Sequence, residues 1–134
     1  MKEDGITTTR RFMEAFAREP AAAPLLEDVV LKDMAQNCAF RGRTAVAGHL
    51  RAFFVEGFLE ARVEVQTTLA DESVAMLEFT FHGRQDGPFM GIPATGREII
   101  LPMIIVCHIA AEKIQQAAIY YDAGSLLRQL GMAI

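Results

Sequence analysis

The hydrophobic positions of this chain first repeat every three to four residues and later every two, which predicts helices followed by strands. Over 7–18, Phe12, Met13, Phe16 and Ala17 share one side of a helix, with threonines ahead as candidate caps and Pro20 as the stop. Pro24 suits the first turn of a second helix, in which Leu25, Leu26, Val29 and Val30 repeat the pattern before Lys32 and Asp33. Residues 35–43 read as a short extended or looped stretch ended by Gly42. A third helix over 45–59 carries Val46, Leu50, Phe53, Phe54 and Phe58, a stripe more typical of core than of a cofactor box.

From residue 61 the period becomes two. Val63, Val65, Thr67 and Leu69 alternate with Arg62, Glu64 and Gln66, the mark of a strand with one wet face. Asp71-Glu72-Ser73 makes a turn. Residues 74–82 are apolar on both parities, which predicts a strand buried on both sides. The Gly- and Pro-rich stretch 83–95 reads as a long irregular connection over a cavity mouth. A turn and long apolar strand over 93–108, a second strand over 113–122 and a short helix over 125–131 close the chain, and the rest is organised around that hairpin. The order implies one α+β domain with helices on one face of a curved sheet.

Composition narrows the partners. The chain has 134 residues, 51% of them hydrophobic, enough for one domain with apolar surface left for a cavity wall or a subunit interface. A net charge of -4 without a basic cluster argues against nucleic acid. The longest apolar run, 99–109, is too short for a membrane helix and contains Pro102 and His108. Cys38 and Cys107 suggest neither a disulfide framework nor, with the histidines, a metal site. With no signal-peptide pattern at the N-terminus, the expected location is the cytoplasm.

The stretches Gly91-Ile-Pro-Ala-Thr-Gly-Arg97, Lys113-Ile and Tyr121-Asp-Ala-Gly-Ser-Leu-Leu-Arg-Gln-Leu-Gly131 resemble the SnoaL-like polyketide (ester) cyclase group of the nuclear transport factor 2-like (NTF2-like) superfamily. The resemblance implies a cone: three N-terminal helices packed on a strongly curved, mostly antiparallel sheet around a deep apolar pocket, usually as a homodimer through the sheet's outer face. It does not fix the reaction, because the same fold carries many chemistries. The cyclases resemble Lys-Ile-x-x-x-Trp-Asp in the last strand, where this chain has Ala118-Ile119. Ketosteroid isomerases carry an acid near Ile104 and a tyrosine where this chain has Phe12 or Phe16.

If Ala111 and Glu112 form a two-residue hairpin loop, Ala110 faces Lys113, and further along His108 faces Gln115, Val106 faces Ala117 and Ile104 faces Ile119. Ile104, Val106, His108, Ala117, Ile119 and Tyr121 then share one face, and Met103, Ile105, Cys107 and Tyr120 the other. By resemblance the first face lines the pocket with Phe16, Phe53 and Phe54, while the second forms the dimer interface. Asp33 falls where the isomerases carry their general base. On an apolar wall its pKa would rise, although an Asp that merely turns the chain fits as well. Tyr121 is a candidate oxyanion donor or ordinary lining, and His108 a proton shuttle or a half-exposed residue. Asp122 is either the cap of the closing helix or a catalytic acid. His49 and His82 read as structural or solvated. The expected function is cofactor-independent proton transfer, as a cyclase, isomerase or lyase, on a small hydrophobic carbonyl compound. The alternative is a non-catalytic ligand-binding dimer.

Overall fold

The computed structural model describes residues 5–132. Helix α1 (Gly5–Ala15) and a 3-10 turn (Pro20–Ala22) precede strands β1 (Leu25–Asp33) and β2 (Cys38–Arg41). Helix α2 (Arg43–Arg51) continues as a π-helical segment (Ala52–Glu56). Strands β3 (Phe58–Ala70), β4 (Val74–Gln85), β5 (Glu98–Ala110) and β6 (Lys113–Tyr120) follow, and helix α3 (Ala123–Gln129) ends the fold. The strands form one mixed sheet in the order β2-β1-β6-β5-β4-β3, in which only the β1–β6 pair is parallel.

The expected second helix is a strand. Val29, Leu31 and Asp33 alternate inward along β1, but between Leu25 and Val30 the pairing with β6 slips, so the buried Leu25 and Val29 stand four residues apart. An irregular strand thus imitates a helical repeat, and β-branched Val29 and Val30 fit the strand they occupy. The helices are consequently not all N-terminal, since the third closes the chain. The threonines do not cap α1 but lie within it: Thr8 Oγ1 donates to the Glu112 carbonyl at 3.1 Å, tying the helix to the β5–β6 turn.

The third predicted helix ends early. Phe58 belongs to β3, and the wider π-helical turn before it places the adjacent Phe53 and Phe54 both inside. Strand β4 buries only alternate residues, Ala75, Leu77, Phe79 and Phe81, because one face meets the helices and the other is left open. It also runs to Gln85, so the irregular connection begins at Asp86.

Between the helices and the sheet, aromatic rings pack edge to face. Phe16 meets Phe54 at 5.2 Å and Phe79 at 5.4 Å, Phe54 meets Phe81 at 5.1 Å, and Phe58 meets Phe81 at 5.2 Å. At the base, Gln129 of α3 clamps β5. Its amide accepts from the Ile100 N–H at 2.7 Å and donates to the Ile100 carbonyl at 3.0 Å. Gly131, at φ +85°, leaves the space into which the Arg97 guanidinium fits; a Cβ there would lie 2.7 Å from its Nε. The Leu-Leu-Arg-Gln-Leu-Gly segment is therefore a structural latch.

Candidate active site

The parallel pairing of β1 with β6 brings the carboxyl ends of two distant strands to the same edge of the sheet. Asp33, the last residue of β1, pairs with Ile119 of β6, and Tyr121 follows just beyond. The turn into β2 places Gln36 above both. Helix α2 packs over β1 and contributes His49, whose ring stacks on Phe40 of β2 at 4.1 Å between centroids.

These residues converge on one carboxylate. Asp33 has no solvent exposure. Its Oδ1 accepts from the Gln36 backbone N–H at 3.0 Å. Its Oδ2 accepts from Gln36 Nε2 at 2.9 Å and from the Tyr121 hydroxyl at 2.9 Å, and lies 3.1 Å from His49 Nε2. Gln36 Nε2 also donates to the Tyr121 oxygen at 2.9 Å. Burial is the largest single influence on Asp33 and would raise its pKa. The hydrogen bond with His49, the Gln36 N–H and the Tyr121 hydroxyl together outweigh it, so the carboxyl is held below its ordinary value. This reverses the expected upward shift, because the atoms bonded to the carboxylate are donors.

An ionised carboxylate only accepts hydrogen bonds, so His49 Nε2 carries the proton. In the neutral ring the lone pair then lies on Nδ1, which makes no hydrogen bond among the described residues. The His49 side chain retains 12% of its exposure. Burial raises the Tyr121 pKa most, Gln36 partly offsets this, and the neighbouring Asp33 charge raises it further, so the phenol stays protonated. On the far side of the cluster Phe53 packs against Tyr121 at 5.2 Å and lies 6.1 Å from the His49 ring.

The structure thus joins Asp33 to Tyr121 and separates the other candidates. Asp122 caps α3, accepting from the Ser125 N–H at 3.1 Å. His108 faces out and lines a surface hollow with Val30, Arg41 and Gln116. Phe16, Phe53 and Phe54 are buried among other rings. The principal surface hollows are lined by none of Asp33, His49 and Tyr121.

The hairpin faces are corrected by a bulge. Ala110 does pair with Lys113 across the Ala111-Glu112 turn, whose residues both have positive φ. Beyond Ile109 and Ile114 the register slips by one, so His108 pairs with Gln116, Cys107 with Ala117 and Ile105 with Ile119. One extra residue reverses which side chains share a face. Ala117 and Ile119 do face inward, but their companions are Met103, Ile105 and Cys107, the row expected at the dimer interface. Ile104 and Val106 point outward with Tyr120. Burial pushes the Cys107 thiol up to about 12.

Two residues of the cluster are not site candidates in the sequence: His49 reads as structural or solvated, and Gln36 is not singled out. His49 had a signal: it shares the helical face of Val46, Leu50 and Phe53, a polar position within an apolar stripe. Gln36 had none, because only the turn geometry brings it to Asp33.

Residues 7–130 match the family model of SnoaL-like polyketide cyclases. No curated protein matches the chain by sequence. Among solved structures, a proposed SnoaL-like polyketide cyclase from Jannaschia sp. CCS1 is 16% identical, with a TM-score of 0.84 and coverage of 100% of this chain and 98% of that one. TsrD from Streptomyces laurentii is 24% identical, with a TM-score of 0.81 over 98% of this chain and 100% of its own. A protein of ketosteroid isomerase-like fold from Catenulispora acidiphila DSM 44928, in complex with trimethylamine, is 18% identical. Its TM-score is 0.74 over 94% of this chain and 93% of its own. These likenesses establish the fold, ketosteroid isomerase-like or NTF2-like.

Proposed function

The chain belongs to the SnoaL-like polyketide cyclase family, and from that premise we propose that it is a cofactor-independent acid–base enzyme acting on a small, hydrophobic carbonyl compound. One observation carries the reading: a fully buried carboxylate bonded to an imidazole and a phenol at the end of a largely apolar interior. His49 Nδ1 takes a proton from the carbon next to the carbonyl, and the C–H electron pair moves to the carbonyl oxygen as an enolate. Asp33 holds the ring by Nε2 and stabilises the imidazolium that forms. Tyr121 turns its hydroxyl from Asp33 to the enolate oxygen while still accepting from Gln36. If the enolate is conjugated with a double bond, return of the imidazolium proton to a different carbon is isomerisation; attack of the enolate carbon on a second carbonyl in the same molecule, whose π pair goes to an alkoxide that takes the imidazolium proton, is cyclisation.

The test is exchange rather than net conversion. In D2O the protein should place deuterium next to the carbonyl of apolar ketones and polyketide-like esters, read by mass spectrometry. His49→Gln and Asp33→Asn should each slow this at least a hundredfold with the circular dichroism spectrum unchanged. Exchange that persists in folded His49→Gln would overturn the assignment.

A second reading, a non-catalytic ligand-binding protein, is favoured by the self-satisfied cluster, in which the Tyr121 hydroxyl both donates and accepts within the chain. It predicts a ligand held unchanged and unaffected by His49→Gln. For either reading we propose a homodimer through the outer face of the sheet, supported by Ile100 and Tyr120, which are 59% and 44% exposed beside Ile104 and Val106. No helix of the described residues is long and apolar enough to cross a membrane. The two free cysteines support a cytoplasmic location.

A further inference from the structure

The connection between β4 and β5 runs over 86–97 without regular structure apart from one bridge, Phe89 with Ile92. Met90 and Gly91 between them both have positive φ, as a two-residue hairpin tip of the primed type requires. Met90 is exposed at this tip, yet Phe89 is only 3% exposed. Its ring lies 5.0 Å from Phe58 and 5.2 Å from Phe53, and Phe53 is the ring that packs on Tyr121. A surface connection thus sends one aromatic side chain inward to close the row of rings that leads to the acid–base cluster.

Polar contacts hold this arrangement shut. Gln85, fully buried at the end of β4, uses its whole side-chain amide on the connection. Nε2 donates to the carbonyls of Gly87 and Ile92 at 3.2 and 3.0 Å, and Oε1 accepts from the Thr95 N–H and hydroxyl at 3.2 and 2.7 Å. A second fastening is the Gly57 carbonyl, which accepts from Asp86 and Gly87 at 2.9 and 3.2 Å. The missing Cβ of Gly57 permits the approach; one built there would meet the Phe89 Cβ and the Pro88 oxygen at 3.3 Å. The connection is therefore fastened by hydrogen bonds at its two ends and plugged by a ring at its middle.

The geometry points to Phe89 as the gate and the size-determining residue of this site, with Gln85 as the clasp that keeps the 86–97 connection closed. The inference rests on reading Asp33, His49 and Tyr121 as the reacting end of this row of rings. Opening lifts Phe89 away from Phe53 and Phe58, and the vacated space takes the apolar body of a ketone whose carbonyl reaches Tyr121. A smaller side chain at 89 enlarges the accepted substrate without touching the acid–base groups.

The probes are acetophenone and its longer-chain homologue hexanophenone, titrated into isotopically labelled protein and followed by amide chemical shifts. Phe89→Ala should bind hexanophenone at least tenfold more tightly than wild type, with the shifts centred on His49, Phe53 and Tyr121. Equal affinity in folded Phe89→Ala, or shifts centred elsewhere, would overturn the gate. If Phe89→Ala does not fold, Phe89→Leu takes its place with the same expectation, and Gln85→Leu is the independent arm for the clasp. Hydrogen exchange at amides 87–96 should speed at least tenfold while β4 and β5 keep their protection, and unchanged exchange there removes the clasp. Neither readout requires turnover. Wild type that exchanges no deuterium on ketones would therefore sink the acid–base reading and leave these outcomes standing.

Discussion

Asp33 is the acceptor on which the hydrogen bonds of the Gln36, His49 and Tyr121 cluster converge. Removing its carboxylate leaves the half-buried Gln36 N–H, Tyr121 hydroxyl and His49 N–H without their acceptor. Asp33→Ala should cost about 1–3 kcal/mol in urea unfolding, the scale of leaving hydrogen-bond donors without their acceptor. Asp33→Asn, which keeps the volume and one accepting oxygen, should cost less. The pH dependence has a definite sign. The folded state holds Asp33 below its ordinary value, so its stabilisation is complete above the unfolded carboxyl value, about 3.9, and is lost as pH falls through the lower folded value. Asp71, which accepts from the Ser73 and Val74 N–H groups, acts in the same direction. Unfolding curves across the acid range should therefore flatten in Asp33→Asn; an unchanged acid limb would place the lability in other carboxylates. Asp33 was a candidate in the sequence because, by resemblance, it falls where the isomerases carry their general base. That it is a strong acceptor rather than a raised-pKa base was not legible, because its donors come from three other parts of the chain.

At the scale of the element, the closing helix shows a residue whose local role won. Asp122 precedes Ala123-Gly124-Ser125, and capping α3 is all the structure gives it. Asp122→Ala should lose about 1 kcal/mol of stability, and calorimetry should register the corresponding fall in Tm. Deuterium exchange on ketones should remain at the wild-type rate; a large loss would return Asp122 to the site. Strand β1 shows the opposite case. Its apolar residues at 25, 26, 29 and 30 read as a helix because a slip in pairing set two inward positions four residues apart. The β5–β6 hairpin fails in the same way, its turn correctly placed but its faces exchanged beyond Ile109. Period-two reasoning carries no information about where a strand gains a residue, and each gained residue inverts everything after it.

For the whole molecule, the outward row of Ile100, Ile104, Val106 and Tyr120 is the face left for the proposed dimer, since Met103, Ile105 and Cys107 are already spent on the core. Tyr120→Glu should yield monomers in sedimentation at micromolar concentration, because an isologous contact meets each substituted residue twice. Wild-type protein that sediments as a monomer would remove the dimer.

The sequence by itself determined the α+β class, the aromatic interior, the closing hairpin and the family, because periodicity and short motifs are local and this chain's length supports a single core. It also pointed to Asp33 and Tyr121 as residues of interest. Only the tertiary structure decided that the two share a hydrogen bond across 88 positions of sequence, that His49 and Gln36 join them, and that Phe89 closes over the row. The reason is the parallel pairing of β1 with β6 and the slips that accompany it: non-local contacts between segments whose own patterns are satisfied by more than one partner and more than one register.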